Sequence, residues 1–189
     1  MVGGPDTQID LSTVHQSIVD AIAVQFPALA TVEDYREDRK GLPLPAVLVE
    51  LADMEPDPDA DPGTEQLAVQ SRWEARIIIG FRTPNAEREV RRLAAALGVF
   101  VHQNRFGEPI GSAEVLAIAP DSFDPDLDQY VVWLVEWQQI VHLGGSVWAN
   151  DSDTPIPSQV LYSWAPNIGP DHEPDYRELD VGASIEGAP

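Results

Sequence analysis

Apolar positions recur at helical spacing near the start of the chain. Leu11, Val14, Ile18, Ala21, Ile22 and Phe26 fall on one stripe, with Asp10 or Ser12 as the N-cap and Pro27 as the stop. Glu33 to Gly41 reads as a charged connector that ends in Leu42-Pro43-Leu44-Pro45. The β-rich run Ala46–Leu51 predicts a strand, and the Pro- and Asp-laden stretch from Met54 to Gly63 predicts a long acidic loop. Period-two alternation follows. Val69, Ser71, Trp73, Ala75, Ile77, Ile79 and Phe81 face one way, while Gln70, Arg72, Glu74 and Arg76 face the other. Strands this close in sequence pair antiparallel most readily.

Thr83-Pro84-Asn85 opens a second helix that ends near Asn104. Val90, Leu93, Ala94, Leu97 and Val101 form its buried stripe, and Arg88, Arg91 and Arg92 cluster on the opposite face. Val115–Ala119 predicts a third strand closed by Pro120, and Asp121 to Asp128 an acidic connector. Tyr130–Leu143 predicts a fourth strand. Its neighbouring apolar residues Val131 to Val135 imply a central place covered on both faces. The fold class is therefore α/β in the α+β sense: an αββαββ order, with two helices packed on a mostly antiparallel four-stranded sheet. The character changes after Gly144-Gly145. Residues 1–145 read as the core domain, and residues 146–189 as an extended acidic arm rich in proline. That arm also carries Trp148, Leu161, Tyr162, Trp164, Ile168 and Tyr176, more aromatic character than a disordered tail has, so it is expected to dock on something.

Charge changes this picture more than length does. Against 11 basic residues stand 32 acidic ones, a net charge of −21 over 189 residues. A field of that sign keeps the chain soluble and repels nucleic-acid backbones and anionic lipid. It also has polarity along the chain: no Lys or Arg lies between Phe106 and Tyr176. The Arg88, Arg91 and Arg92 face reads either as a solvated helix surface or as a contact for an acidic neighbour. The chain has no cysteine, which excludes disulfides, thiolate metal sites and a cysteine nucleophile, and fits synthesis in a reducing compartment. No signal peptide is expected at the N-terminus, and the apolar run from Leu93 to Val101 is far short of the roughly 20 residues of a membrane span.

Candidate chemistry is sparse. His15, His102, His142 and His172 have no metal-ligand spacing and read as surface or half-buried polar residues. Asp57, Asp59 and Asp61 resemble the start of a calcium loop, but the positions that need Gly and Glu hold Pro62 and Ala68. No GxSxG elbow or Gly-rich phosphate loop is present. The expectation is a non-enzyme with no cofactor, no metal and no catalytic residue.

The succession of elements is similar to a known family. The first helix, the Leu44-Pro45-Ala46-Val47-Leu48-Val49-Glu50 strand, the acidic hairpin loop and the alternating Trp73-to-Phe81 strand come first. The Ala-rich second helix and the Trp133/Trp137 strand follow. Together they resemble phage tail terminator proteins, also called tail-completion or head–tail joining proteins. The segment Tyr162-Ser163-Trp164-Ala165-Pro166-Asn167-Ile168-Gly169, with Tyr176, looks like the C-terminal extension of some members from contractile-tailed phages.

The resemblance implies a virion protein, made in the host cytoplasm and placed at the neck end of the tail. There it would form a ring, commonly a hexamer, that caps the tail tube and ends its polymerisation. Implied partners are copies of itself, the tail tube protein and the head-connector or neck protein, with the sheath as a further candidate. DNA would only pass through the lumen, and no membrane is involved. On this reading Arg88, Arg91 and Arg92 meet acidic segments of a neighbour, and Trp148, Tyr162, Trp164 and Tyr176 anchor the arm on an adjacent subunit or on the tube. Rival readings are another neck or head-completion protein, an acidic protein-binding module that mimics DNA, and a small enzyme with an acidic surface.

Overall fold

A computed structural model describes residues 9–35, 41–61, 63–121, 130–147 and 160–179. The chain divides into two compact units, Met1–Ala149 and Asn150–Pro189. The first unit extends a little past Gly145: Ser146 is buried, and Val147 N donates to Thr64 O at 3.1 Å.

Helix α1 spans Leu11–Gln25, and the Asp10 carboxylate accepts from Ser12 N at 2.9 Å to cap it. Its chain then turns at Phe26-Pro27 into strand β1, Thr31–Asp34, and on to β2, Ala46–Pro56. Strand β3, Leu67–Gly80, leads to helix α2, Ala86–Val101. Strands β4, Glu114–Pro120, and β5, Tyr130–Leu143, complete the first unit. They form one five-stranded sheet in the order β1-β2-β3-β5-β4, antiparallel throughout except for the parallel β1–β2 edge.

The sheet therefore has one more strand than expected. Glu33 and Asp34, read as connector, belong to β1, which pairs Thr31 with Ala46 and Asp34 with Val49. Four residues with two acids carry no alternation that a sequence could show. Their pairing is fixed by bonds to the neighbouring strand at either end, where Ala30 N donates to Pro45 O at 2.8 Å and Tyr35 N to Val49 O at 2.7 Å. Strand β2 likewise runs past Leu51 to Pro56, taking Met54, Glu55 and Pro56 out of the expected loop. A bulge at Ala52 lets this acidic half follow the long β3 strand.

Both helices lie on one face of the sheet. Val14, Ile18, Val19 and Ile22 of α1, and Val90, Ala94, Leu97 and Val101 of α2, pack on Val69, Trp73, Ala75, Ile77 and Ile79 of β3, the face that the alternation predicts. Phe81 ends the alternation half exposed, in the turn before α2. Trp73 and Trp137 are cross-strand partners, fully buried and stacked at 6.5 Å between centroids.

Strand β5 is internal, between β3 and β4, but it is not covered on both faces along its middle. Among the described residues, the apolar cluster on the face away from the helices covers its start, where Val132 packs with Leu42, Ala46, Leu48 and Ile78 beside Tyr35, Leu44 and Tyr130. Leu134, Glu136, Gln138 and Ile140 remain half exposed.

A buried amide network ties the loop after α2 to this sheet. Gln139, 1% exposed, accepts from Trp137 Nε1 at 3.1 Å and donates through Nε2 to Asn104 O at 3.1 Å and Gly111 O at 2.9 Å. Beside it Ser71 Oγ donates to Gln139 O at 2.8 Å and accepts from Trp73 Nε1 at 3.0 Å. Every donor and acceptor of this set is matched, which is what makes burial of a carboxamide tolerable. The loop it holds contributes Phe106, Ile110 and Ala113 to the core. Phe106 adopts a left-handed backbone, φ 54°, to place its ring near Phe100 and Trp137.

In the second unit, β6 (Val160–Tyr162) pairs antiparallel with β7 (Arg177–Leu179) across a turn that includes a short 3₁₀ segment, Pro170–Asp175. The described part of the arm is thus a small ribbon, more structured than the extended arm expected.

Gln139→Leu should cost about 2–3 kcal/mol, because it strands the Trp137 N–H and two loop carbonyls in the core. The urea midpoint of the full chain measures this. Gly111→Ala should also destabilise, by about 1–3 kcal/mol. A Cβ there would stand 2.9 Å from Ile140 N and 3.1 Å from Ile140 O, backbone atoms that cannot yield without moving β5.

Candidate functional site

At one end of the helix face the elements leave a concave gap. The last turn of α1 with Phe26 forms one wall, and Pro27 to Leu29 and the Leu44-Pro45 turn close its base. Ile79 and Gly80 of β3 meet Leu93 and Ala96 of α2 on the far side. The cleft has a volume of about 490 Å³ and is mostly hydrocarbon, with Glu89 and Arg92 at its rim. It opens where α1 ends at Gln25 and the chain turns through Phe26-Pro27 toward β1. Val24 and Val99, 83% and 79% exposed, lie close in sequence to its lining residues Gln25 and Ala96, so exposed hydrocarbon continues outward along both helices.

The expected arginine face lies beside this cleft. Arg92 Nε donates to Glu89 at 3.0 Å and Arg91 Nη2 to Glu87 at 3.2 Å, both pairs within α2. Exposed pairs at these spacings hold the side chains loosely and contribute about 0.3–0.5 kcal/mol each, so they are easily exchanged for an outside partner. Arg88 and Arg82 are exposed and make no ion pair among the described residues; Arg82 lies over its neighbour Phe81 at 5.4 Å. Four of the eleven basic residues of the chain thus fall between positions 82 and 92, where α2 begins.

The sheet face away from the helices is organised by charge. Arg76 Nη1 donates to Glu50 at 2.6 Å and Nε to Asp121 at 3.2 Å, and Nη2 bonds Glu74. Its guanidinium also lies 4.6 Å from the Tyr35 ring centre. Burial by itself would lower the pKa of Arg76. The hydrogen bond that Arg76 donates to Glu50 and the charges of Glu74, Glu50 and Asp121 outweigh it and raise the pKa above arginine's ordinary value. A raised pKa means stability that is fully present below the unfolded-state value and lost only as pH climbs through the folded one. That window lies at extreme alkaline pH, so this contribution is constant near neutrality. Arg72 and Glu136 add a looser pair at 3.6 Å.

The remaining expected site residues divide. Tyr162 and Trp164 are together in the ribbon, edge to face at 6.5 Å, and Trp164 is 79% exposed. Tyr176 serves the ribbon itself: its hydroxyl accepts from Gly169 N at 2.9 Å. Trp148 lies outside the described residues. The acidic loop is spent locally. Asp57 accepts from Asp59 N at 3.2 Å, capping the 3₁₀ turn Pro58–Ala60, and Asp61 accepts from Gly63 N at 2.8 Å. Asp59 is exposed. His142 meets Ala60 O at 3.0 Å, and His15 lies 3.2 Å from both Val49 O and Asp34. Among the described residues no cluster of three or more His, Asp or Glu side chains could hold a metal ion, and no helix is long and apolar enough to cross a membrane. Sequence reasoning missed the cleft, because its lining comes from four separate segments.

No family model matches the chain, and no curated protein matches it.

Replacing the Arg76 fork with an apolar side chain, Arg76→Met, leaves Glu50, Glu74 and Asp121 facing one another around a half-buried site. It should cost about 2–3 kcal/mol. Arg76→Lys keeps the charge but not the three-way geometry and should recover only part of that loss, read as the denaturation midpoint of each variant.

Proposed function

We propose that the chain is a structural assembly subunit of a phage virion, a tail terminator that closes into a ring on the tail tube and joins it to the head connector. The observation that carries this reading is the ribbon at residues 160–179. None of its described side chains is buried, and Leu161, Tyr162, Trp164 and Ile168 are exposed. A two-stranded ribbon is at best marginally stable in water, and exposed aromatics of this kind act as binding anchors. Such a segment is built to be covered by another surface.

Three further features support the assembly role. Helices on one face of a mostly antiparallel sheet agree with the fold that the family resemblance implies. The outer strands β1 and β4 are short, and β4 is bulged and ends at Pro120, which suits contacts made by side chains more than uncontrolled strand addition. Like charge at −21 per subunit penalises indiscriminate association, so contacts form only where apolar surface and local arginines offset it. Acidic residues facing a lumen would let DNA slide through without adhering. The protein is read as non-catalytic, working through interfaces with copies of itself, the tube and the connector.

Sedimentation and negative-stain imaging, with and without isolated tail tubes, test this directly. The expected result is closed rings in solution or at tube ends, most simply hexamers. A chain that stays monomeric at every concentration and leaves tube ends bare would rule the reading out.

A further inference from the structure

We propose that the apolar cleft beside α2 receives the ribbon of a second copy of this chain, with Trp164 as the anchoring side chain. This rests on the reading that the chain assembles with copies of itself, and it names the two surfaces that meet.

The two surfaces match in chemistry. The cleft offers about 490 Å³ bounded by Phe26, Leu29, Leu44, Ile79, Leu93 and Ala96, room for a large aromatic side chain. The ribbon offers Trp164, 79% exposed, with Ile168, 55% exposed, four positions on. Charge matches as well. Arg82, Arg88, Arg91 and Arg92 gather around the start of α2, whereas residues 160–179 carry Asp171, Glu173, Asp175 and Glu178 against Arg177 and His172, the latter 3.1 Å from Asp175. In a chain of net charge −21 few surfaces attract an acidic segment, and this basic cluster is one that also borders an apolar hollow. The Arg91 and Arg92 pairs with Glu87 and Glu89 are exposed enough to rearrange toward an incoming carboxylate. Tyr176, held by Gly169 N, shapes the turn between β6 and β7 and leaves Trp164 outward.

A head-to-tail contact of this kind joins two different surfaces, so each copy keeps one cleft and one ribbon for its neighbours. That is the heterologous geometry that generates rings when the rotation closes.

The absence of cysteine makes a clean test possible in the full chain. Ala96→Cys places a thiol on the exposed lining of the cleft, and Asn167→Cys places one in the ribbon beside the anchor. The two single variants, tagged differently, are mixed under mild oxidation. The expected result is a mixed disulfide about ten-fold above that from Asn167→Cys paired with a control at exposed Thr13→Cys on α1. Adding Trp164→Ala to the ribbon chain should return the yield to the control level. Because Trp164 is exposed, that variant keeps the core intact, which its denaturation midpoint verifies.

Oligomers by sedimentation without excess cross-linking would overturn the ribbon-in-cleft contact and leave the assembly reading standing. A chain carrying both cysteines that forms only an intramolecular bond would show the ribbon seated in its own cleft, which also overturns it. A cross-link indifferent to Trp164→Ala would remove the anchor assignment. A monomer with no cross-link, on tubes or off, would remove both this contact and the assembly reading.

Discussion

The first unit depends on one buried carboxamide. Gln139 sits on β5 with its backbone in the sheet and its side chain in the core, between the stacked indoles of Trp73 and Trp137 and the loop that follows α2. Its two N–H groups hold Asn104 O and Gly111 O, the carbonyls of a segment with no regular structure of its own. That anchorage lets Phe106, Ile110 and Ala113 act as core residues, and it sets where β4 can begin. It also explains the close pass of Gly111 over Ile140, where no larger residue fits without a backbone shift. A buried amide with every bond made specifies one arrangement, since any slip of the loop would leave several polar groups unmatched in the core at once.

From this centre the two faces of the sheet take different roles. The helix face is hydrocarbon and opens into a cleft at the end of α1. The opposite face is held by Arg76 with three carboxylates, a cluster that stays acidic in sum but in which each acid has the guanidinium as a close partner. The acidity is thus not a uniform coat. Asp57 and Asp61 cap turns, Glu87 and Glu89 sit in the first turn of α2 where its dipole favours them, and Glu50, Glu74 and Asp121 neutralise an arginine. The proposed assembly would draw on the exposed arginines near α2 and on the acids and aromatics of the ribbon. Oriented contact between like subunits needs this kind of unequal surface, attractive in one place and repulsive elsewhere.

Much of the fold was legible from periodicity. The α1 stripe, the β3 alternation and the α2 face each appear at their expected positions, because each buries one side against a single continuous core. Strand β1 was not legible, since Thr31–Asp34 is too short and too acidic to show a period, and its place depends on bonds to the Pro45 and Val49 carbonyls of the neighbouring strand. Nor was the uncovered middle of β5. Apolar neighbours such as Leu134 and Ile140 look like two-sided burial in sequence, but whether anything covers the second face is decided by where the helices go.

The candidate surfaces divide the same way. Arg88, Arg91, Arg92 and Trp164 stand out by type and clustering alone, because charge and aromatic character are properties of single residues. Sequence by itself also determined the net charge, the lack of cysteine and the change of character after Gly145. Only the tertiary structure decided that Arg91 and Arg92 pair within their own helix, that Tyr176 is spent inside the ribbon, and that Phe26, Leu44, Ile79 and Leu93 converge on one hollow. The physical reason is that a cleft is made by what neighbouring elements fail to fill. That failure is a matter of relative length and packing, which no local pattern of residues encodes.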